Sequence, residues 1–334
     1  MKNALVRMPL PLLLAILSFG LLAAVALSLI AGTSEFGLAS LLRLFHGTCD
    51  PVERTILLDL RLPRALLALL VGSSLAVSGA VFQALLRNPL AEPYILGLSG
   101  GSAVGAIGAA VLGLYARLIS VSMSFACALG ATLLVLTMAQ RRYRLNTHVM
   151  ILAGVVLNTL FSAVIIVFLS LSEEPQSQTV FFWMMGNLGR VSLAEIALAS
   201  PFVLLTLIGI GLYAHRLNLI HLGEETARQT GISVERDKWV LLLLTSFITA
   251  LSVSLAGIIG FVGLVVPHIA RRLFGPDHRR LLPTSALLGA SLLVLSDAIA
   301  RVLLAPVELP VGVITAALGV PFFLSLLWRE NRVA

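Results

Sequence analysis

The chain has 334 residues, of which 58% are hydrophobic and only 12% charged, and its mean hydropathy is +1.01. A soluble domain carries about 25% charged residues, so the composition excludes a disordered chain and argues against a water-facing enzyme, while two cysteines exclude a disulfide scaffold. The formal charge of +7 suits either a nucleic-acid binder or a membrane protein with basic residues gathered on one side.

A membrane-crossing helix needs about 20 mostly apolar residues. Ten such runs are predicted, over 10–31, 64–84, 94–113, 118–139, 148–170, 193–213, 239–258, 262–274, 282–302 and 311–328. They are continuous rather than alternating, which favours helices over a barrel. Lys2 and Arg7 precede the first run as in a signal peptide. That run is longer than a signal core and shows no small-residue cleavage site, so a retained helix is expected. The second run is entered through RLPR, with Arg61 and Arg64 flanking Leu62 and Pro63. These arginines are either anchors or a docking surface for an acidic partner. The segment RNPLAEP, Arg87 to Pro93, follows; its two prolines fix a rigid turn. In the third run Gly97, Gly101 and Gly105 recur every four residues, beside Ser102 and Gly108, and predict close helix packing.

Further along, Glu195 opens the sixth run and is read as interfacial. His148 and His268 lie near the ends of runs and are read as hydrogen-bonded structure rather than ligands. The longest inner segment, 214–238, contains LGEETARQTGI from Leu222 to Ile232, enough for about two helical turns. It is either a solvated connector or a short helix docked on a partner. The eighth run is too short for an upright span. The ninth carries Asp297 and Arg301 one turn apart, a structural salt bridge or a functional pair. Cys49, in a loop, and Cys127, mid-run, are not expected within disulfide reach.

Ten spans put both termini on one side. If that side is the cytoplasm, sixteen of the 23 Lys and Arg residues lie in inner segments, as the positive-inside rule favours. The charge is then spread over short loops, and nucleic-acid binding loses its support. No HExxH, GxSxG or paired-cysteine motif is present. A Walker A loop ends in Gly-Lys-Ser/Thr, but the only lysines, Lys2 and Lys238, follow Met1 and Asp237. ATP-driven work therefore requires a separate ATPase chain. Two rivals stay open: an ion-coupled secondary transporter, which lacks its expected midplane carboxylates here, and a membrane scaffold that transports nothing.

Five stretches carry a family resemblance: SGAVFQALLRNPLAEPYILGLSGGSAVG (Ser78 to Gly105), WMMGNLG (Trp183 to Gly189), LGEETARQTGI, GFVGLVVPHIAR (Gly260 to Arg271) and ELPVGVITAALGVPFF (Glu308 to Phe323). In this order they resemble the iron-chelate (siderophore or haem) and cobalamin permeases, the membrane subunits of type II ABC importers. The resemblance implies an all-α polytopic fold of about ten transmembrane helices, forming a single permease domain over 1–334. It implies a homodimer, or a pair of homologues, enclosing the pathway in a bacterial inner membrane with both termini cytoplasmic. It also implies cytoplasmic ATP-binding subunits, a periplasmic substrate-binding protein, and no cofactor, metal or enzymatic activity in this chain. Residue by residue, Arg61, Arg64 and Arg301 match arginines that dock the binding protein. Asn88 and Leu90, with Thr147 and His148, match the cytoplasmic gate, although His148 stands where relatives often carry a small hydroxyl residue. Gly223, Glu224, Glu225, Ala227, Arg228 and Gly231 match the segment that couples to the ATPase. The chelate itself is not legible.

Overall fold

The computed structural model describes residues 6–32, 43, 46, 48–114, 116–141, 144–172, 174–189 and 191–330. Lys2 lies outside them. Among the described residues thirteen helices follow in chain order: α1 (Leu10–Ile30), α2 (Pro51–Leu85), α3 (Leu98–Val111), α4 (Arg117–Ala139), α5 (Thr147–Leu171), α6 (Glu174–Met184), α7 (Leu193–Leu212), α8 (Ala214–Leu222), α9 (Glu224–Gln229), α10 (Val234–Ala256), α11 (Val262–Phe274), α12 (His278–Val302) and α13 (Val311–Glu330). Each of the ten predicted runs coincides with a helix, and seven of the helices are long and apolar enough to cross a membrane. Contacts between helix termini define two ends of the bundle. One end gathers Ile30, Arg64, Arg117, Leu193 and Val302, the Arg64 end. The other gathers Val6, Arg87, Thr147, Ala214 and His278, the Arg87 end.

Three boundaries differ from expectation, each for a local reason. The second span begins at Pro51, not at 64, because the polar stretch holding Asp59, Arg61 and Arg64 is helical. Residues Ile56–Arg61 form a π turn in which the Leu62 amide donates to Leu57 O, five residues back. The wider turn accommodates Pro63, which has no amide to donate. The third span shrinks to Leu98–Val111, since Pro93–Leu96 is a 3-10 turn and Gly97 is left-handed, with φ 80°. Gly97 is thus a turn residue rather than part of the packing stripe. The segment 214–238 is no open connector: it holds α8, α9 and the start of α10.

The second span is the hub. Its most apolar window is 89% buried, against 17% for α5. Helices α10, α11 and α12 pack around α2, and α1 packs on α12. Glycines permit these approaches: a Cβ at Gly79 would overlap the Gly263 carbonyl, and one at Gly72 the Gly289 carbonyl. The predicted stripe does the same for α3 on α4, where Gly101 and Gly105 face the backbone of Cys127 and Met123. Beside them the Ser102 and Ser124 hydroxyls share a hydrogen bond of 2.5 Å. Small residues let backbones touch where apolar lipid gives helices no hydrophobic reason to associate. Glu195 caps α7 in a capping box with Ser192 and pairs with Arg117 at 2.7 Å, as suits an interfacial residue. Cys49 and Cys127 are free thiols.

Candidate functional site: two polar ends and a break inside the bundle

At the Arg64 end the three predicted docking arginines converge. Asp297 uses both oxygens, taking Arg64 Nε at 2.6 Å and Arg301 Nε at 3.1 Å. Arg64 Nη1 also reaches Glu308 at 2.7 Å. Arg301 donates to Ala31 O, Ser28 O and Ser28 Oγ, and Arg61 to Leu29 O and Ile30 O. The last carbonyls of a helix have no partners of their own and carry partial negative charge; here guanidiniums supply both missing needs for α1. The Asp297–Arg301 pair is therefore a structural salt bridge, enlarged by Arg64. Arg61 and Arg301 are only 6% and 5% exposed, whereas Glu308 stands at the rim.

At the Arg87 end the residues predicted to couple to an ATPase form a compact unit. Helix α9 is bounded by glycines with positive φ, Gly223 at 152° and Gly231 at 81°. Ala227 is fully buried, in the apolar cluster that also holds Leu217, Ile220 and Val234, with α9 packed on α8 and α10. Arg228 lies within 3.6 Å of Glu224, Glu225 and Glu235. Lys238, itself buried, holds Glu224 at 2.5 Å. Burial disfavours the Glu224 carboxylate, but Lys238, Arg87 and Arg228 outweigh it, and its pKa falls below the ordinary value. Nearby His221 is held neutral, its pKa lowered first by burial and then by Arg271.

The four residues predicted for the gate fall on two separate elements at this end. Asn88 Oδ1 accepts from Leu90 N at 2.9 Å, closing the NPLAEP turn, and Leu90 is exposed. Arg87 Nη2 ties that turn to Ile220 O of α8 at 3.2 Å. Thr147 and His148 begin α5, whose N-cap Asn146 accepts from His148 N and Val149 N. Among the described residues no hydrogen bond joins the two pairs.

Sequence reasoning missed Glu92. The chain after the NPLAEP turn re-enters the bundle, so that Pro93 lies beside Gly263 and the Leu75 carbonyl, midway along the straight part of α2. There it meets a second break, 257–261, between α10 and α11. The Tyr94 hydroxyl donates to Ile259 O at 3.0 Å and accepts from Ile259 N at 3.2 Å. Glu92 Oε1 accepts from Phe261 N at 3.1 Å, at the start of α11, where Phe261 takes φ 68°. Irregular backbone at membrane depth must find its partners within the protein, and these two side chains provide them. The available signal was an acid between Pro89 and Pro93 followed by no charged residue before Arg117. Glu92→Ala strands the Phe261 amide and should cost about 1–3 kcal/mol. Glu92→Gln keeps a carbonyl acceptor and should cost less than half as much. Thermal unfolding of the two purified variants in detergent checks the order; equal losses would deny the hydrogen bond its role.

Among the described residues no cluster of His, Cys, Asp and Glu could hold a metal ion. His148 is exposed, and the His268 ring packs on Phe322 and Phe323.

The chain matches the model of the FecCD transport family over residues 20–329. It is 38% identical over 327 residues to the hemin transport system permease protein HmuU of Yersinia pestis, covering 95% of this chain and 96% of that one. It is 41% identical over 323 residues to the vitamin B12 import system permease protein BtuC of Shigella boydii, covering 95% and 94%. A solved structure described as an inward-facing conformation of a metal-chelate type ABC transporter superposes with a TM-score of 0.86 at 32% identity, covering 96% of this chain and 99% of its own. The fold is therefore that of a multi-pass membrane permease of ABC importers. The chain belongs to the FecCD transport family.

Proposed function

We propose that this chain is the membrane subunit of an ATP-driven importer that brings a haem, cobalamin or iron-siderophore chelate into the cytoplasm. The observation that carries the proposal is alignment over about nineteen-twentieths of both chains with permeases named for hemin and vitamin B12. The chain hydrolyses nothing itself. Cytoplasmic ATP-binding subunits seat on α8 and α9 at the Arg87 end, and both termini face the cytoplasm of a bacterial inner-membrane complex. A periplasmic binding protein docks at the Arg64 end. Arg61 and Arg301 act there by fixing the platform, since their guanidiniums are occupied by α1 carbonyls and Asp297. Arg64 is the docking contact, because its partner Glu308 is exposed and exchangeable for a carboxylate of the binding protein. Such a rim contact acts on encounter and is screened by salt. A second copy of the chain pairs along α5, whose apolar residues Leu152, Val156 and Leu160 are exposed. Asn88, Leu90, Thr147 and His148 of the two copies close the cytoplasmic mouth.

Uptake into vesicles tests the reading. Permease, ATPase and binding protein are reconstituted together and offered haem, cyanocobalamin and a ferric siderophore in turn. ATP-dependent accumulation of one of the three, abolished by omitting the ATPase, is the expected result. Accumulation driven by an ion gradient without ATPase would identify a secondary transporter instead, and none under any condition would favour a scaffold.

A further inference from the structure

The coupling segment and the gate at the start of α5 are separated in sequence by the whole of 149–222, yet one carboxylate bridges them. Glu235, on the first turn of α10, uses its two oxygens on two different elements. Oε1 receives Arg228 Nη2 of α9 at 3.4 Å, and Oε2 receives the backbone amide of Leu145 at 3.0 Å. Leu145 closes the two-stranded hairpin Gln140–Arg141 and Arg144–Leu145, paired to Gln140. Its side chain is buried within the large apolar cluster that also holds Ala227 and Val234, so the hairpin is anchored in the core as well as on Glu235. The next residue, Asn146, caps α5 through His148 N and Val149 N, and its own amide returns to Ala139 O. From Leu145 to Val149 the chain thus has no free joint: hairpin bond, cap and helix follow without a gap. Lys238 pins Glu224 from the other side, so α9, α10 and the hairpin are held as one body.

We propose that Glu235 is the positioning residue that transmits movement of α9 to the gate end of α5, through Arg228 on one oxygen and the Leu145 amide on the other. The proposal rests on α9 being the seat of the ATPase. A charge-assisted hydrogen bond is stronger and more directional than a neutral one, and an interlocked element shifts as a unit rather than deforming. Loss of the carboxylate would leave α9 seated and α5 capped, but no longer linked.

The test uses the assembled importer in vesicles, with Cys49 and Cys127 replaced by Ser and spin labels at the exposed positions Val149→Cys, on the first turn of α5, and Arg272→Cys. In the parent, addition of ATP should change the distance between the labels. In Glu235→Ala the ATPase should still co-purify and hydrolyse ATP, the distance should no longer respond, and uptake per ATP should fall roughly tenfold, within the usual range for a coupling interaction. Glu235→Gln keeps an acceptor for Leu145 N and loses the charge facing Arg228, so it should fall between, and it serves if the Ala variant fails to fold. Unchanged uptake per ATP and an unchanged distance response in both variants would overturn the proposal. A purely structural role would lower hydrolysis and uptake together with thermal stability, which also counts against it. Failure of the underlying reading looks different: the ATPase would co-purify with a chain whose residues 223–231 have been replaced.

Discussion

Asp297→Ala should destabilise the chain by about 3–5 kcal/mol, the loss expected when one partner of a buried ion pair is removed. The Asp297 side chain is 1% exposed and neutralises two guanidiniums, Arg64 and Arg301, on its separate oxygens. Without it, among the described residues, Arg301 keeps only uncharged acceptors, Ser28 of α1 and its C-cap Ala31. Among the described residues Arg64 keeps only Glu308, which is 55% exposed and well solvated. The joint between α1, α2 and α12 then contains buried cations of one sign. Glu308→Ala is the internal control: it removes a rim pair, and exposed pairs contribute about 0–1 kcal/mol. Unfolding of the purified variants in detergent, followed by circular dichroism, measures both losses. A loss below about 1 kcal/mol for Asp297→Ala would mean that water reaches the network and that the three arginines are free for another use.

The same network shows what a sequence can and cannot convey. Arg301 and Asp297 are four apart on one helix, so their pairing was legible from spacing alone. Arg64 was not, because it lies 233 residues from Asp297, and the α1 carbonyls that hold Arg61 and Arg301 are backbone atoms with no signature of their own. The spans were legible because hydrocarbon demands long apolar runs. Their limits failed where that demand lapses. Charged residues before Pro63 hid the thirteen helical residues 51–63, and apolar residues before Gly97 disguised a turn as helix. The glycine stripe on α3 was readable because a small residue needs only a neighbour, and periodicity shows the face. Glu92 was hidden by the opposite circumstance. Its significance comes from depth, and the re-entry that gives it depth is set by contacts with Gly263 and Ile259, far along the chain. The segment 223–231 was recognisable as a motif. That it is clamped by Lys238 and Glu235, and that Arg87 joins the neighbouring α8 to the NPLAEP turn, follows only from packing.

Replacement of residues 223–231 by a Gly/Ser linker of equal length should abolish transport altogether, the largest functional effect expected of any change considered. The native segment is stiff for identifiable reasons. Gly223 and Gly231 take positive φ and fix where α9 begins and ends. Ala227 anchors its inner face, and Glu224 and Arg228 tie it to α10 through Lys238 and Glu235. A Gly/Ser linker behaves as a flexible coil and keeps none of these ties, so closure of a partner on it moves nothing. The spans should survive, because α10 begins at Val234, packs on α2 and α4, and keeps Arg216 on Asp237. The exchanged chain should therefore insert and purify but fail to retain the ATPase. Acid should reproduce part of this loss in the native chain. The pKa of Glu224 is depressed in the fold, against the opposing effect of burial, by Lys238 above all. Its contribution to stability is thus present above the ordinary carboxylate pKa and disappears as the pH falls through the lower folded value. Co-purification across a pH series, with Glu224→Gln beside the native chain, checks the sign: the native complex should weaken toward acid, and the variant should show the weaker binding already at neutral pH. An ATPase retained by the linker chain at neutral pH would place the seat elsewhere and leave α9 a structural brace between α8 and α10.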